Sequence, residues 1–434
     1  MELTIHRGTH EVGGTCIEVA AGSSRLVLDI GLPLFGPGRE ALDTWALRRR
    51  TKPELAADGI LPPIPGVFTD GPAADAILLS HAHMDHTGLL EFTDETVPIY
   101  ASAGTSKMML AGGIFAAQTE LPRERYRELV ATRPVRIGDF VVTPFDVDHS
   151  IHGAMALLVE AEGKSLLYSG DLRLHGRRPG KAELLLKSLE SRSVDVLLME
   201  GTHFGLPTEN PTDELQLEDG LVAEIERAPG LALASFSPQN VDRLIGFINA
   251  ARRTGRLFVA DVYTAFVMYL ISSQTDVPDP VRDENIRVFY PHAFRRSCER
   301  RNRVKIHDQF LPSQIGVDEL RADPARYVML FRPSMLDDDF EGTLPDRCRC
   351  LYSYWSGYLD KPDWQKMKRA LKEVDGDVVK VHATGHILEE DIVRFVDAVA
   401  PGELIPVHTF EPQRFEDHFP NTRVLEDGVP WKLG

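Results

Sequence analysis

Cysteine is scarce in this chain: 434 residues carry 4, at Cys16, Cys298, Cys348 and Cys350. Four scattered thiols make no disulfide framework, so a reducing cytoplasm is the expected compartment. Cys348 and Cys350 would supply half a metal site, but no second pair stands nearby to complete it. Long hydrophobic runs are also missing. No stretch approaches the ~20 apolar residues that cross a bilayer, so no membrane partner is expected. The start at Met1 reads as a strand and lacks a signal-peptide pattern. Positive charge is in deficit, with 48 Lys and Arg against 65 Asp and Glu and a net charge of −17. Such a chain repels nucleic acid at long range, so a nucleic-acid substrate would demand a local basic groove. No internal repeat or low-complexity segment stands out. What remains is an ordinary globular composition, 43% hydrophobic and 26% charged, at a length that suits two domains.

What is present concentrates in Leu79-Ser80-His81-Ala82-His83-Met84-Asp85-His86-Thr87-Gly88. Three imidazoles and a carboxylate follow an apolar run, Ala76 to Leu79, that reads as a buried strand. A chain leaving a sheet there swings its side chains into a cleft at the sheet's edge. His81 and His83 alternate and can face one metal, while Asp85 and His86 reach round to a second. Imidazole with carboxylate suits zinc best, with manganese or iron as alternatives.

Ligand-type residues recur where other predicted strands stop. Leu3 to Arg7, Thr15 to Ala20 and Arg25 to Asp29 are short β-type runs, and Asp29 closes the third. There it either orients the histidine loop by hydrogen bonding or simply serves a turn. Gly36 to Pro72 is long, aperiodic and rich in Pro and Gly, a lid or cleft wall by its position, with Arg48-Arg49-Arg50 inside it. Helices are expected near Thr105 to Gln118 and Glu124 to Ala131. Strands at Phe140 to Phe145, Ala154 to Glu160, Ser165 to Tyr168 and Val194 to Met199 lead to His149, Asp171 and Glu200.

Beyond Pro207 helices alternate with apolar strands, a rhythm that implies a parallel sheet and a second domain. Helices are expected over Asp213 to Arg227 and Gln239 to Arg253. Ser237-Pro238 reads as a cap with Pro at the first helical position. If that N-terminus faces a cleft it is an anion site, with Arg243 two turns along. Arg295, Arg296, Arg300, Arg301, Arg303 and Lys305 form the densest basic run, either a solvated helix face or a phosphate-contacting surface. Tyr352, Tyr354, Trp355 and Tyr358 pack a core or stack bases. The tail returns to the first texture. A strand at Val379 to Val381 leads to His382-Ala383-Thr384-Gly385-His386, and one at Leu404 to Val407 stops at His408.

The series His81-Ala82-His83-Met84-Asp85-His86, then His149, then Asp171, resembles the ligand series of the metallo-β-lactamase fold. Glu200-Gly201-Thr202, His386 in Thr-Gly-His and His408 in Pro-Val-His resemble the added motifs of its β-CASP branch, which contains RNase J and the cleavage-and-polyadenylation endonuclease. The likeness implies an α/β fold: an αββα sandwich from 1–205 and 379–434, with a β-CASP-type α/β domain inserted over 206–378. It also implies two Zn²⁺ per chain. One would be held by His81, His83 and His149, the other by Asp85, His86 and His408, with Asp171 bridging. A hydroxide between the ions would be the nucleophile. His386 would be the general acid and Glu200 the group that orients it, with Asp85 also counted in the catalytic set. His382 and Thr384 would cradle a neighbouring phosphate. His408 resembles the RNA-processing members.

There are departures from that pattern. His203-Phe204 stand where many relatives show tyrosine, and Pro333-Ser334-Met335-Leu336-Asp337-Asp338-Asp339 replaces the Gly/Ser-rich phosphate segment of RNase J. The three aspartates are expected to repel a phosphate. A C-terminal domain of the RNase J kind is not expected, and the short members are the expected comparison. The expected function is metal-dependent hydrolysis of phosphodiesters in nucleic acid, RNA before DNA. Hydrolysis of small phosphodiesters or other acidic metabolites is the alternative, and a non-catalytic nucleic-acid-binding member the third reading. A weakly held homodimer is the assembly to test.

Overall fold

The computed structural model describes residues 1–206, 212–301 and 303–434. The change of texture at Pro207 lies outside them. The chain divides into two compact units, Met1–Glu209 with Gly385–Gly434, and Asn210–Thr384.

The first unit holds two mixed sheets. One is 7-stranded: Trp431–Lys432 pairs with Glu2–Arg7, and Cys16–Ala21, Ser24–Leu28, Ala76–Leu78, Ile99–Ser102 and Tyr126–Leu129 follow in chain order. The other is 6-stranded, running from Glu403–Val407 through Val196–Glu200, Lys164–Tyr168, Met155–Ala161 and Phe140–Asp146 to Val135–Ile137.

Period-two burial explains why Val196–Glu200 reads as one unbroken apolar run. Val196 and Leu198 pack with Leu3, Ile5, Leu26 and Leu28 in the core between the sheets. Leu197 and Met199 pack on the opposite face with Leu185 and Leu189 of the helix Gly180–Leu189 and with Ile392 and Phe395 of the helix Glu389–Val399. A strand covered on both faces has no polar side to show. This is the sandwich that the resemblance implies.

The second unit is built on one parallel 7-stranded sheet, in the order Gln314–Ile315, Ile286–Phe289, Leu257–Asp261, Tyr327–Leu330, Ala232–Ser235, Arg349–Tyr352, Asp377–Lys380. Helix Glu214–Glu226 leads into its first strand, and helices Val241–Arg253 and Val262–Ile271 come between successive strands, as the βαβ rhythm requires.

Several expectations change. The expected helix at Glu124 to Ala131 is the strand Tyr126–Leu129, which pairs in parallel with Ile99–Ser102; a free sheet edge overrides helix propensity there. The strand expected at Val379 to Val381 spans Asp377–Lys380 and pairs with Arg349–Tyr352. It therefore ends the second unit's sheet, and the chain returns to the first unit at Gly385 rather than at 379. The stretch Gly36 to Pro72 is not without secondary structure. It contains the short helices Thr44–Leu47 and Lys52–Ala57, the second opened by a Thr51–Glu54 capping box. It is tied to the first sheet by Arg7 donating to the Ile60 carbonyl at 2.9 Å and Arg25 donating to those of Pro65 and Pro72 at 3.0 Å. Those ties hold its second half, from Ile60 to Pro72, against that sheet. No helix among the described residues is long and apolar enough to cross a membrane.

Candidate metal centre

The strand Ala76–Leu78 ends at the carboxyl edge of its sheet, and the short helix Met84–Thr87 follows with His83 at its N-cap. Backbone bonds hold this loop on the turn after Ser24–Leu28, where Ile30 N–H donates to the His86 carbonyl at 2.8 Å, and on the entry to Cys16–Ala21, where Thr15 N–H donates to that of Asp85 at 3.1 Å. The approach is so close that a Cβ on Gly31 would sit 1.9 Å from the Asp85 carbonyl oxygen. Only glycine fits there.

Asp29, at a left-handed φ of 58°, sits under the loop. Its carboxylate accepts from Ser80 N–H at 2.7 Å, Ser80 O–H at 2.6 Å, His86 Nδ1–H at 2.8 Å and Tyr168 O–H at 2.7 Å. It orients the histidine loop, and the turn it serves is the means. Ser80 Oγ lies 3.0 Å from His81 Nδ1, so that nitrogen donates to it and Nε2 is left bare. His149 Nδ1 donates to the Gly385 carbonyl at 2.7 Å with the same result. Hydrogen-bonding one ring nitrogen to fix the lone pair on the other is how ligating imidazoles are set.

Two clusters result. His81, His83, His149 and Asp171 bring one ligand atom each to within 4.8 Å of one another, and so do Asp85, His86, Asp171 and His408. His83 Nδ1 lies 3.0 Å from His81 Nε2 and 3.1 Å from His149 Nε2. Nitrogens each ~2.0–2.1 Å from one tetrahedral zinc would be about 3.3 Å apart. Asp171 belongs to both clusters. Its two carboxylate oxygens and His86 Nε2 are buried and make no well-aligned hydrogen bond, Nε2 standing 3.2 Å from Asp171 Oδ2, although such atoms are costly to leave unmatched. A divalent cation satisfies all three, so the residues fit a metal.

The electrostatics agree. Burial, reinforced by neighbouring imidazoles, holds His81 and His149 well below the ordinary histidine range and His83 at about 4, all in the neutral form that ligates. Burial opposes charge on His86 too, yet the carboxylates of Asp171, Asp85 and Asp29 outweigh it and push its pKa well up. Burial would raise Asp171, but His408, His86 and His386 hold it well below the usual carboxylate range. The second cluster is thus rich in carboxylate and calls for positive charge.

A third grouping, Asp171, Glu200, His386 and His408, shares two members with the second. Here the contacts are hydrogen bonds. His386 Nδ1 lies 3.2 Å from Glu200 Oε2, and Thr202 Oγ1 donates to that oxygen at 2.8 Å. Burial lowers the His386 pKa, but Glu200 and Asp171 prevail and push it up to about 9. His203 stands beside this ring, centroids 6.1 Å apart, while Phe204 is buried in a stack on Phe415 at 3.9 Å.

The expected substrate contacts fare differently. Arg243 is no phosphate ligand. It is fully buried, its Nη2 3.1 Å from Glu214 Oε1 and donating to the Ala383 carbonyl at 3.1 Å. Ser237 is not the helix cap; Asn240 accepts from Arg243 N–H at 3.0 Å and opens Val241–Arg253. A side-chain amide at the N-terminus outcompeted the Ser-Pro signal. Arg295, Arg296, Arg300 and Arg301 lie exposed on the helix His292–Arg301. The three aspartates expected to repel phosphate are instead paired, Asp337 with Lys366, Asp338 with Arg296 at 3.0 Å and Asp339 with His292 at 3.3 Å. Tyr352 is core, edge-on to Trp364 at 4.7 Å, whereas Trp355 is 57% exposed. His382 and Thr384 fall in the last residues of the second unit.

Sequence reasoning gave no role to Tyr168 or to Thr202. A tyrosine closing a buried strand just before Gly170-Asp171 was the available signal for the first. For Thr202, the hydroxyl directly after Glu200-Gly201 was the signal. Arg173, fully buried with its Nε 3.3 Å from Asp148 Oδ1, was also missed.

Residues 51–208 match the model of the beta-lactamase superfamily domain. Ribonuclease J of Sinorhizobium meliloti is 24% identical over 405 residues, 88% of this chain and 66% of that protein. An RNase J-like protein of Methanocaldococcus jannaschii is 25% identical over 275 residues, 60% of this chain and 58% of its own length. The chain thus spans less than two thirds of either relative. The crystal structure of a protein of unknown function from Enterococcus faecalis V583 shares the fold, with a TM-score of 0.80 at 22% identity and 99% of both chains covered. Residues 51–208 thus carry a beta-lactamase superfamily domain with buried histidine–aspartate clusters, and over most of its length the chain is similar, at about a quarter identity, to RNase J-like proteins.

Proposed function

We propose that this protein is a metal-dependent phosphodiesterase of nucleic acid, with RNA preferred over DNA. The observation that carries the reading is the Glu200–His386 pair, 3.2 Å apart and directly beside the two clusters. A scaffold that only bound metal would need no buried carboxylate hydrogen-bonded to an imidazole at its edge. The RNase J-type relatives supply the substrate class.

His81, His83 and His149 would hold one Zn²⁺, Asp85, His86 and His408 the other, with Asp171 shared; Mn²⁺ or Fe would suit the same donors. When bound, the ions supply positive charge at the phosphoryl group and acidify the attacking water. His386, with Nδ1 held by Glu200, keeps its other nitrogen for a proton and delivers that proton to the leaving oxygen. Asp29, Ser80, Gly385 and Thr202 set the ligating tautomers, so the donors need no rearrangement. The exposed arginines of His292–Arg301 are the proposed backbone-tracking surface.

End-labelled RNA, matched DNA and a small phosphodiester, each incubated at varied metal, test the reading. Cleavage of RNA above DNA is expected, and product lengths give the cutting mode. Cleavage of the small ester alone would favour the second reading, a hydrolase of small phosphodiesters, which the net charge of −17 suits.

A further inference from the structure

Thr202 Oγ1 has four polar neighbours, the most distant being the His408 carbonyl at 3.5 Å. The hydroxyl oxygen is 2.8 Å from Glu200 Oε2, 2.9 Å from His408 Nδ1 and 3.1 Å from His386 Nδ1. A hydroxyl has one proton to give and two lone pairs to offer, and a carboxylate only accepts. The single O–H therefore goes to Glu200, which also takes N–H donors from Leu172 at 3.0 Å and Thr202 at 3.4 Å. With its proton committed, Thr202 can meet the imidazoles only as an acceptor. Both rings must then carry their proton on Nδ1. For His408 that leaves Nε2 bare, at 3.3 Å from Asp85 Oδ2 inside the second cluster. For His386 it leaves Nε2 as the nitrogen that faces away from Glu200 and Thr202.

We propose that Thr202 is a positioning residue whose hydroxyl, with its proton given to Glu200, fixes the tautomer of a metal ligand, His408; the Nδ1–H of the acid, His386, it shares with Glu200 at 3.2 Å. The inference rests on the two-metal reading above. Without the hydroxyl, His408 Nδ1 loses its acceptor. The ring's next available acceptor is Asp85 Oδ2, reached by moving the proton to Nε2. That tautomer turns an N–H, not a lone pair, toward the metal position. Asp85 is then occupied as well.

The test uses the full chain, treated with chelator and titrated with Zn²⁺ against a fluorescent chelator. Thr202→Val keeps the branched shape and removes the hydroxyl, and Thr202→Ala is a second hydroxyl-free variant should the first misfold. Expected is a loss of 10–100-fold in affinity for the second ion, the usual effect of removing a group that orients a ligand, with the first ion bound as before. Histidine-selective ¹⁵N correlation spectra of the chelator-treated chain should move His408 from Nδ1–H toward Nε2–H. Thr202→Ser should restore both. Parent-like affinity and tautomer in the hydroxyl-free variants would overturn the proposal, as would a folded Thr202→Ser that restores neither. A parent chain that takes up one ion only would instead defeat the two-metal reading, and this inference with it.

Discussion

His149 Nδ1 donates to the carbonyl of Gly385 at 2.7 Å, a bond that joins residues 236 apart in sequence. The next residue is His386. One backbone position therefore sets the tautomer of a first-cluster imidazole and anchors the segment that carries the proposed acid. A change in either is felt by the other, which is why their roles have to be separated by experiment.

His386→Ala is expected to keep both ions and a normal melting temperature while losing on the order of 10²–10⁴ in rate, the usual worth of a positioned acid. An activated ester with a p-nitrophenolate leaving group needs little proton assistance and should be cut almost as before. His408→Ala should instead lose the second ion and fail on both substrates. An equal deficit of His386→Ala on both kinds of leaving group would remove the acid role.

Asp29→Asn replaces an acceptor that four donors address with a group that must turn an N–H₂ toward some of them. Loss of orientation at His86 should weaken the second ion by 10–100-fold. Calorimetric titration with Zn²⁺ checks this; unchanged affinity would reduce Asp29 to a turn residue.

Arg243→Ala leaves the Glu214 carboxylate buried without its ion-pair partner, both side chains being fully covered. Breaking such a pair costs about 3–5 kcal/mol. Denaturant unfolding should show that loss, with RNA affinity per folded molecule unchanged. A variant of parent stability that binds RNA weakly would restore the phosphate-contact reading.

Replacing Arg295, Arg296, Arg300 and Arg301 with alanine should weaken long RNA and leave a dinucleotide unaffected. If all four meet phosphates of a single strand, the slope of log affinity against log salt falls by about 3. An unaltered slope would make this helix face merely solvated.

Glu11 responds to pH through stability. Burial, with Asp427 adding to it, outweighs the Arg7 guanidinium 3.3 Å away and the His408 ring, and raises the carboxyl from 4.5 to about 7. The folded chain then keeps a proton that the unfolded chain releases above 4.5, so stability contributed by this group falls as pH rises between those values. Glu11→Gln should raise the melting temperature at pH 8 and lose its advantage below pH 4.5. Scans across that range decide it.

Some of this was legible in the chain itself. The donors of the histidine loop lie within six residues, so the turn that follows a single strand brings them together whatever the rest of the fold does. The βαβ rhythm after Pro207 declared a parallel sheet for a similar reason, since a crossover helix is a local pattern. His149, Asp171, Glu200, His386 and His408 each stood at a strand end, but nothing local says that separate strand ends meet. Only the resemblance to a family joined them.

Tertiary structure alone decided the rest. A buried arginine and an exposed one have the same letter, so Arg243 read as a ligand for phosphate until Glu214 was found against it. The strand Tyr126–Leu129 exists because Ile99–Ser102 offers it a free edge, information that sits more than twenty residues away. The aspartates at 337–339 read as repulsive in the sequence, whereas the fold sets Asp337 against Lys366, Asp338 against Arg296 and Asp339 against His292. Thr202 is the sharpest case. A hydroxyl's role follows from which atoms surround it, and those come from positions 200, 386 and 408. Residue type and spacing determined which chemistry was available to this chain, because donor identity and strand periodicity are local. Which donors share a cavity, and which nitrogen of each ring faces it, depended on contacts between distant segments that only the folded chain brings within hydrogen-bond reach.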